Sequence, residues 1–172
     1  MKMIGKTITL SDEDQELCIR VAREICENSK RKNVRNRKIG SRSDEWTELN
    51  GTGGECGFCR MFGTKFDDSI RPRSSVNGTD HGDTVLHDLT IDVKTTHWAT
   101  GRLVVGHWKN SSIDLFALMI GEFPTYTFMG FMIASDLIKP EKQREKFKGG
   151  YTAEQSELRE FEEIIQELQW PY

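Results

Sequence analysis

The chain has 172 residues, of which 36 % are hydrophobic and 30 % charged, with a formal net charge of −3. That is enough apolar chain for one domain with its own core, and no run approaches the roughly 18 apolar residues of a membrane span. No internal repeat and no signal-peptide pattern after Met1-Lys2-Met3 are present, so a cytoplasmic protein without a membrane partner is expected, in which the Asn-x-Ser/Thr matches at Asn50, Asn77 and Asn110 arise by chance.

Ser11, with Asp14 three residues on, predicts the start of a helix whose buried stripe is Leu17, Val21 and Ile25. Basic residues gather beyond it: Lys30, Arg31, Lys32, Arg35, Arg37, Lys38 and Arg42 follow one another with no acid between them. Two readings stand for this segment. It is an arm that tracks nucleic-acid phosphates, or a solvated loop whose cations complement a helix C-terminus. Residues 30–52 read as a polar loop, with Trp46 as an anchor.

Residues 53–63 predict a second helix, with Glu55, Phe58, Cys59 and Phe62 on one stripe and Gly63 as its C′ residue. Gly57 weakens that helix by about 1 kcal/mol relative to alanine. Glu55 lies on the apolar stripe, where a carboxylate needs a partner or a place in the first turn. A polar connection from Thr64 to Gly82 follows, with Arg71, Arg73 and His81 bordering the next element.

Residues 83–94 carry the chemistry. A two-residue turn at His87-Asp88 pairs Leu86 with Leu89, Val85 with Thr90 and Thr84 with Ile91, and brings Asp83 opposite Asp92. Asp83, Asp92 and Lys94 then share one face, and Thr84, Leu86, Leu89, Ile91 and Val93 share the apolar one. Like charges placed opposite each other destabilise a sheet, and a divalent ion between them, with Lys94 alongside, would offset that cost.

Downstream, Leu103–Trp108, Leu115–Ile120 and Thr125–Ile133 read as strands, the last two joined through Gly121 and Pro124 and apolar on both faces. Arg102 and Lys109 are further candidates for phosphate contacts. A short segment at Ser135-Asp136 and Pro140 closes the sheet. Thr152 and Gln155 read as a capping box for a final helix with a stripe of Leu158, Phe161, Ile165 and Leu168 and an acidic surface from Glu154 to Glu167. Cys18, Cys26, Cys56 and Cys59 lack the second knuckle of a zinc site and read as core residues. His97 and His107 read as core or surface residues, and the tryptophans beside them, Trp98 and Trp108, as platforms on which bases could stack or, the more usual case in a small α/β domain, as core side chains. The pattern alone gives an α/β or α+β fold.

The order Gly53-Gly54-Glu55 opening a helix, Asp83 on a hairpin and Asp92-Val93-Lys94 nine residues on resembles the PD-(D/E)xK nuclease superfamily, in its small phage- or mobile-element-encoded members. The likeness covers residues 48–138, with Gly82 standing where that family has proline. It implies a restriction-endonuclease-like core, a central mixed sheet flanked by helices. Within one domain, residues 1–52 would form an N-terminal helix and basic loop, 53–138 the core with the site, and 139–172 a C-terminal helix. It also implies Mg²⁺ or Mn²⁺, one or two ions, held by Asp83, Asp92, Glu55 and the carbonyl of Val93, with Lys94 completing the catalytic set. The expected activity is phosphodiester hydrolysis, endo- or exonucleolytic, on DNA, with RNA and a homodimer left open and a host cytoplasm as the setting. The alternatives are a binding module of the same fold without turnover, and a phage-type inhibitor that acts through its acidic C-terminal helix.

Overall fold

Alternating apolar residues in five strands build a central sheet, seen in a computed structural model that describes residues 2–31, 41–69, 82–106 and 112–169. In chain order the elements are β1 (Thr7–Thr9), α1 (Asp12–Arg31), α2 (Asp44–Phe62), β2 (Thr84–Leu86), β3 (Leu89–Thr96), β4 (Leu103–Val105), β5 (Leu115–Glu122), β6 (Thr125–Ile133), α3 (Ala134–Leu137), β7 (Gln143–Arg144), β8 (Gly150–Ala153) and α4 (Phe161–Leu168). The central sheet has the order β1-β6-β5-β3-β2. It is mixed: β3 and β5 run parallel, while β1–β6, β5–β6 and β2–β3 are antiparallel. A smaller antiparallel sheet, β4-β8-β7, lies apart from it. The fold is therefore α+β.

Each face of the central sheet has its own core. Helices cover one face, where Cys18 of α1, Cys56 and Phe58 of α2 and Phe161, Ile164 and Ile165 of α4 join Ile91, Val93, Ala117, Met119, Phe128 and Phe131. The small sheet covers the other, where Leu103, Val105 and Ala153 meet Phe116, Leu118 and Met132. Period-two alternation along β3 and β5 sends neighbouring residues into different cores.

The hairpin register is the expected one, Thr84 opposite Ile91, Val85 opposite Thr90 and Leu86 opposite Leu89. His87 and Asp88 both have positive φ, 47° and 64°, as a two-residue turn matched to the twist of its strands requires. Asp14 N–H donates to Ser11 Oγ at 3.2 Å, the expected cap of α1. The buried stripe of α1 is turned by one position from expectation. Cys18, Val21, Ala22 and Cys26 are buried, while Leu17 and Ile25 lie at its margin.

Three expectations are corrected. The polar loop at 30–52 is not one: α1 runs to Arg31, and α2 begins at Asp44, capped by Ser43 Oγ, which accepts from Trp46 N at 3.1 Å. The boundary drawn at residue 52 therefore falls inside α2. Gly57 counted against the helix in the sequence, yet it is one of three glycines where α2 presses against the sheet. A Cβ on Gly53 would meet Tyr126 Oη at 2.2 Å, one on Gly54 would meet Thr95 Oγ1 at 2.0 Å, and one on Gly57 would meet Ile8 Cγ2 at 3.3 Å. Close packing outweighs the lost propensity.

The second correction is at the C-terminus, where Thr152 belongs to β8 and caps nothing. α4 starts at Phe161, and its capping box is made by Glu160 and Glu163. Residues 139–172 thus contribute β7 and β8 as well as a helix. The third is at Leu103–Trp108, where the described strand is Leu103–Val105 in the small sheet. Lys32, Arg35, Arg37, Lys38, Arg71, Arg73, His81, His107, Trp108 and Lys109 lie outside the described residues. No helix among the described residues is long and apolar enough to cross a membrane.

Candidate functional site

The site forms where the sheet loses a strand. β2 pairs with β3 only as far back as Thr84 opposite Ile91, and Asp83 N–H adds one more ladder bond to Ile91 O at 2.8 Å. Gly82, just before Asp83, has φ +75°. A Cβ there would stand 2.6 Å from Thr90 Cγ2 and 2.8 Å from Ile91 O, and proline, whose φ is fixed near −65°, could not take this conformation. Glycine at this position is therefore a local structural requirement.

The Asp83 side chain continues the ladder. Its Oδ2 accepts from Val93 N–H at 2.6 Å. A residue's N–H and C=O point to the same side of a strand, so the Val93 carbonyl leaves through this same edge. The sequence register sets Asp83 beside Asp92, but the Asp83 carboxylate lies along the edge of β3 and does not stand on the face with Asp92. Asp92 and Lys94 point to the small-sheet side, next to Phe116 and Leu118 of β5.

Asp92 is buried, with 2 % of its side chain accessible, and its Oδ1 contacts the ammonium of Lys94, which keeps 26 % of its side-chain surface. Glu55, half-buried on α2, completes the group. Gly54 beside it abuts Thr95 of β3, so the same close approach that needs glycine sets Glu55 near this edge.

The electrostatics give each group a separate part. Burial, then the charge of Glu55, then that of Asp92 push the Asp83 carboxyl well above the usual carboxylate range, against the pull of Lys94 and the Val93 N–H. Burial is also the largest single influence on Lys94, and it favours the neutral amine. Asp92, Asp83, the hydrogen bond to Asp92 and Glu55 together outweigh it and hold Lys94 above its ordinary value. Lys94 is thus a fixed cation, and Asp83 is a carboxyl that lacks sufficient positive charge.

Oxygen donors of this kind suit a hard divalent ion, and Mg²⁺ characteristically takes one or two carboxylates together with water and substrate phosphate. Asp83 and Asp92 supply that number. Among the described residues no three His, Cys, Asp or Glu side chains stand in ligand geometry around one point.

The basic residues are arranged differently from the acids. Lys30 pairs with Glu45 at 2.6 Å, Arg42 lies 3.6 Å from Glu122, and Arg102 pairs with Glu154 at 2.8 Å on the small sheet. Arg31 ends α1 in the same corner as Lys30. All four cysteines are free and buried. Burial pushes the Cys59 thiol up to about 11, and Cys59 Sγ donates to Lys65 O at 3.5 Å, as expected of a core residue.

Of the two readings of the tryptophans, the core one does not hold for Trp98, which is exposed in an aromatic corner just beyond β3. The rings of His97 and Trp98 lie 4.5 Å apart, Trp46 meets His97 edge-on at 5.2 Å, and the Arg42 guanidinium sits 4.7 Å above the Trp46 ring. The signal was the position of Trp98 in the polar run Ala99-Thr100-Gly101-Arg102, outside any strand period. Comparison with curated proteins and with solved structures finds no match. Residues 2–126, the span that holds Glu55, Asp83, Asp92 and Lys94, match the model of a family of unknown function (DUF5843), and the chain belongs to that family.

Proposed function

We propose that this protein is a metal-dependent nuclease that hydrolyses phosphodiester bonds, in DNA first of all. One observation carries the reading: the Asp83 carboxylate takes the Val93 N–H at the edge of β3, and Asp92, buried on the adjacent face, lies against Lys94. A structural ion pair needs one acid for one base. Here Asp83, Asp92 and Glu55 all act on a single lysine.

Asp83 and Asp92 would hold Mg²⁺ or Mn²⁺, with the Val93 carbonyl on the same edge and Glu55 behind them. When bound, such an ion lowers the pKa of water and offsets charge on the phosphate. Lys94 stabilises the charge that builds on the phosphoryl oxygens, as a fixed cation. It does not serve as the general base, because its carboxylate neighbours keep it protonated.

The test is incubation with supercoiled, linear and single-stranded DNA and with RNA, in Mg²⁺, Mn²⁺ or EDTA, alongside Lys94→Ala. Cleavage that needs the ion and disappears in the variant is expected. Cleavage that persists in EDTA, or that Lys94→Ala leaves intact, rules this site out as its source. Absence of cleavage with nucleic-acid binding retained would favour a binding module of the same fold.

A further inference from the structure

We propose that the aromatic corner beyond β3 is a stacking platform for an unpaired base, so that the substrate is single-stranded nucleic acid or a single-stranded end. The proposal deepens the nuclease reading and rests on it for its setting, though its test needs no cleavage. Trp98 is 66 % exposed, the most exposed of the large hydrophobic side chains described. Leaving an indole face in water forgoes the stabilisation of burial, so a bound partner for that face is the simplest use of it.

The platform is fixed in place. Trp98 N–H donates to Thr96 Oγ1 at 3.4 Å, and Gly101 N–H donates to Trp98 O at 2.8 Å, which closes a tight turn directly after β3. A Cβ on Gly101 would lie 2.5 Å from Thr96 Cγ2, so this turn accepts only glycine there. His97 supports one side of Trp98, and Trp46, with the Arg42 guanidinium over it, supports His97.

The setting selects the ligand. Trp98 follows Lys94 by four residues, at most about 14 Å along the chain. A strand with its phosphate at Lys94 therefore has a neighbouring base within reach of Trp98. Bases within a duplex stack on one another and offer no free face, whereas unpaired bases stack on aromatic side chains whatever their sequence. Arg42 supplies a cation at this corner, and Lys30 pairs with Glu45, the chain neighbour of Trp46. The carboxylate partners of Lys30 and Arg42 are themselves exposed, so phosphate can compete for those two cations.

The experiment uses the full chain in EDTA, with a labelled oligothymidylate and a duplex of equal length, read by fluorescence anisotropy. Wild type should bind the single strand more tightly than the duplex. Trp98→Ala should weaken single-strand binding by about 5- to 150-fold, and Trp98→Phe should retain most of it. The salt dependence should be the same in Trp98→Ala and wild type, because stacking releases no counterions. Single-strand binding unchanged in Trp98→Ala, equal losses on the duplex, or no binding of oligothymidylate by wild type would each overturn the platform. Failure of the nuclease reading shows separately, as binding that depends on Trp98 without any cleavage in Mg²⁺ or Mn²⁺.

Discussion

β3 and β5 are parallel neighbours, with Asp92 beside Phe116 and Lys94 beside Leu118, yet they are built in opposite ways. β5 is bonded along both edges, to β3 and β6, and is buried without a break from Leu115 to Ile120. β3 is bonded along its inner edge throughout. On its outer edge the backbone partner ends at Asp83, and a carboxylate continues in its place. The comparison shows where this sheet accommodates charge. Carboxylates inside β5 would have neither water nor a free edge. On β3 they gather where the ladder opens, within reach of solvent and of Lys94.

The largest effect expected is on the charged strand. Asp92→Ala should lower ion-dependent cleavage by at least about a thousandfold, measured in single turnover. It should also destabilise the fold by about 1–3 kcal/mol, less than a fully buried pair because Lys94 remains partly exposed. Repulsion between opposed aspartates, taken alone, predicts the other sign, namely a gain in stability. The Lys94 contact reverses it, because Asp92 has the closest cation and Asp83 bears the repulsion. Wild-type stability in the Asp92→Ala variant would mean that the pair contributes nothing.

On the apolar strand the order of effects inverts. Phe116→Ala should cost about 3–5 kcal/mol by urea unfolding, since Phe116 is wholly buried between the two sheets. Cleavage per folded molecule should stay within a few-fold of wild type. A catalytic loss as large as that of Asp92→Ala would show that the two strands do not divide their roles.

Asp83→Asn separates Asp83 from Asp92. The folded-state pKa of Asp83 is raised, so between its unfolded value near 4 and its folded value the native state holds a proton that the unfolded chain has released. Wild-type stability therefore falls as pH rises through that window. Asparagine still accepts the Val93 N–H and carries no charge. In EDTA the two proteins should match at pH about 4 and diverge upward, with Asp83→Asn the more stable. Equal stability at all pH values would remove the electrostatic strain from the site.

The hairpin was readable in advance because its signals are local. Alternation fixes the face of each residue, and the two turn residues fix the register, so Thr84, Val85 and Leu86 found their partners from sequence. β6 was legible for the same reason, with the predicted limits Thr125 and Ile133. What failed depended on contacts from elsewhere. Gly57 read as a weak point of the helix, and Gly53-Gly54 as its start, because Ile8, Tyr126 and Thr95, against which these glycines pack, are distant in sequence. Thr152 and Gln155 satisfied a capping pattern, but β4 claimed Thr152 as a strand partner for Val104. Of the candidate site, the order Glu55, Asp83, Asp92, Lys94 was legible. The division between a repelled Asp83 and a paired Asp92 was not, because it depends on the Asp83 carboxylate taking the Val93 N–H.

α4 changes the way the interaction alternative is tested. Phe161, Ile164 and Ile165 are buried in the helix-side core, so deleting residues 152–172 removes core side chains together with any acidic contact surface. Loss of function on that deletion would follow from unfolding alone. Charge reversal at the exposed Glu167 tests the surface without disturbing the core.

The smallest effect sharpens the comparison most at the helix-facing side of β3. Thr95 Oγ1 is buried against Gly54 and has no hydrogen-bond partner in the structure. A buried hydroxyl left unpaired costs about 1–3 kcal/mol, whereas a methyl of the same shape costs nothing there. Thr95→Val should therefore raise stability by up to about 1 kcal/mol, since the hydroxyl recovers some of its cost in any relaxed geometry. Cleavage should not change, because Thr95 faces α2 while Asp92 and Lys94 face the small sheet. A loss of cleavage with stability raised would place the hydroxyl at the site, next to Glu55. The boundary between structural and chemical residues on β3 would then fall between Val93 and Thr95 and not between the two faces of the strand.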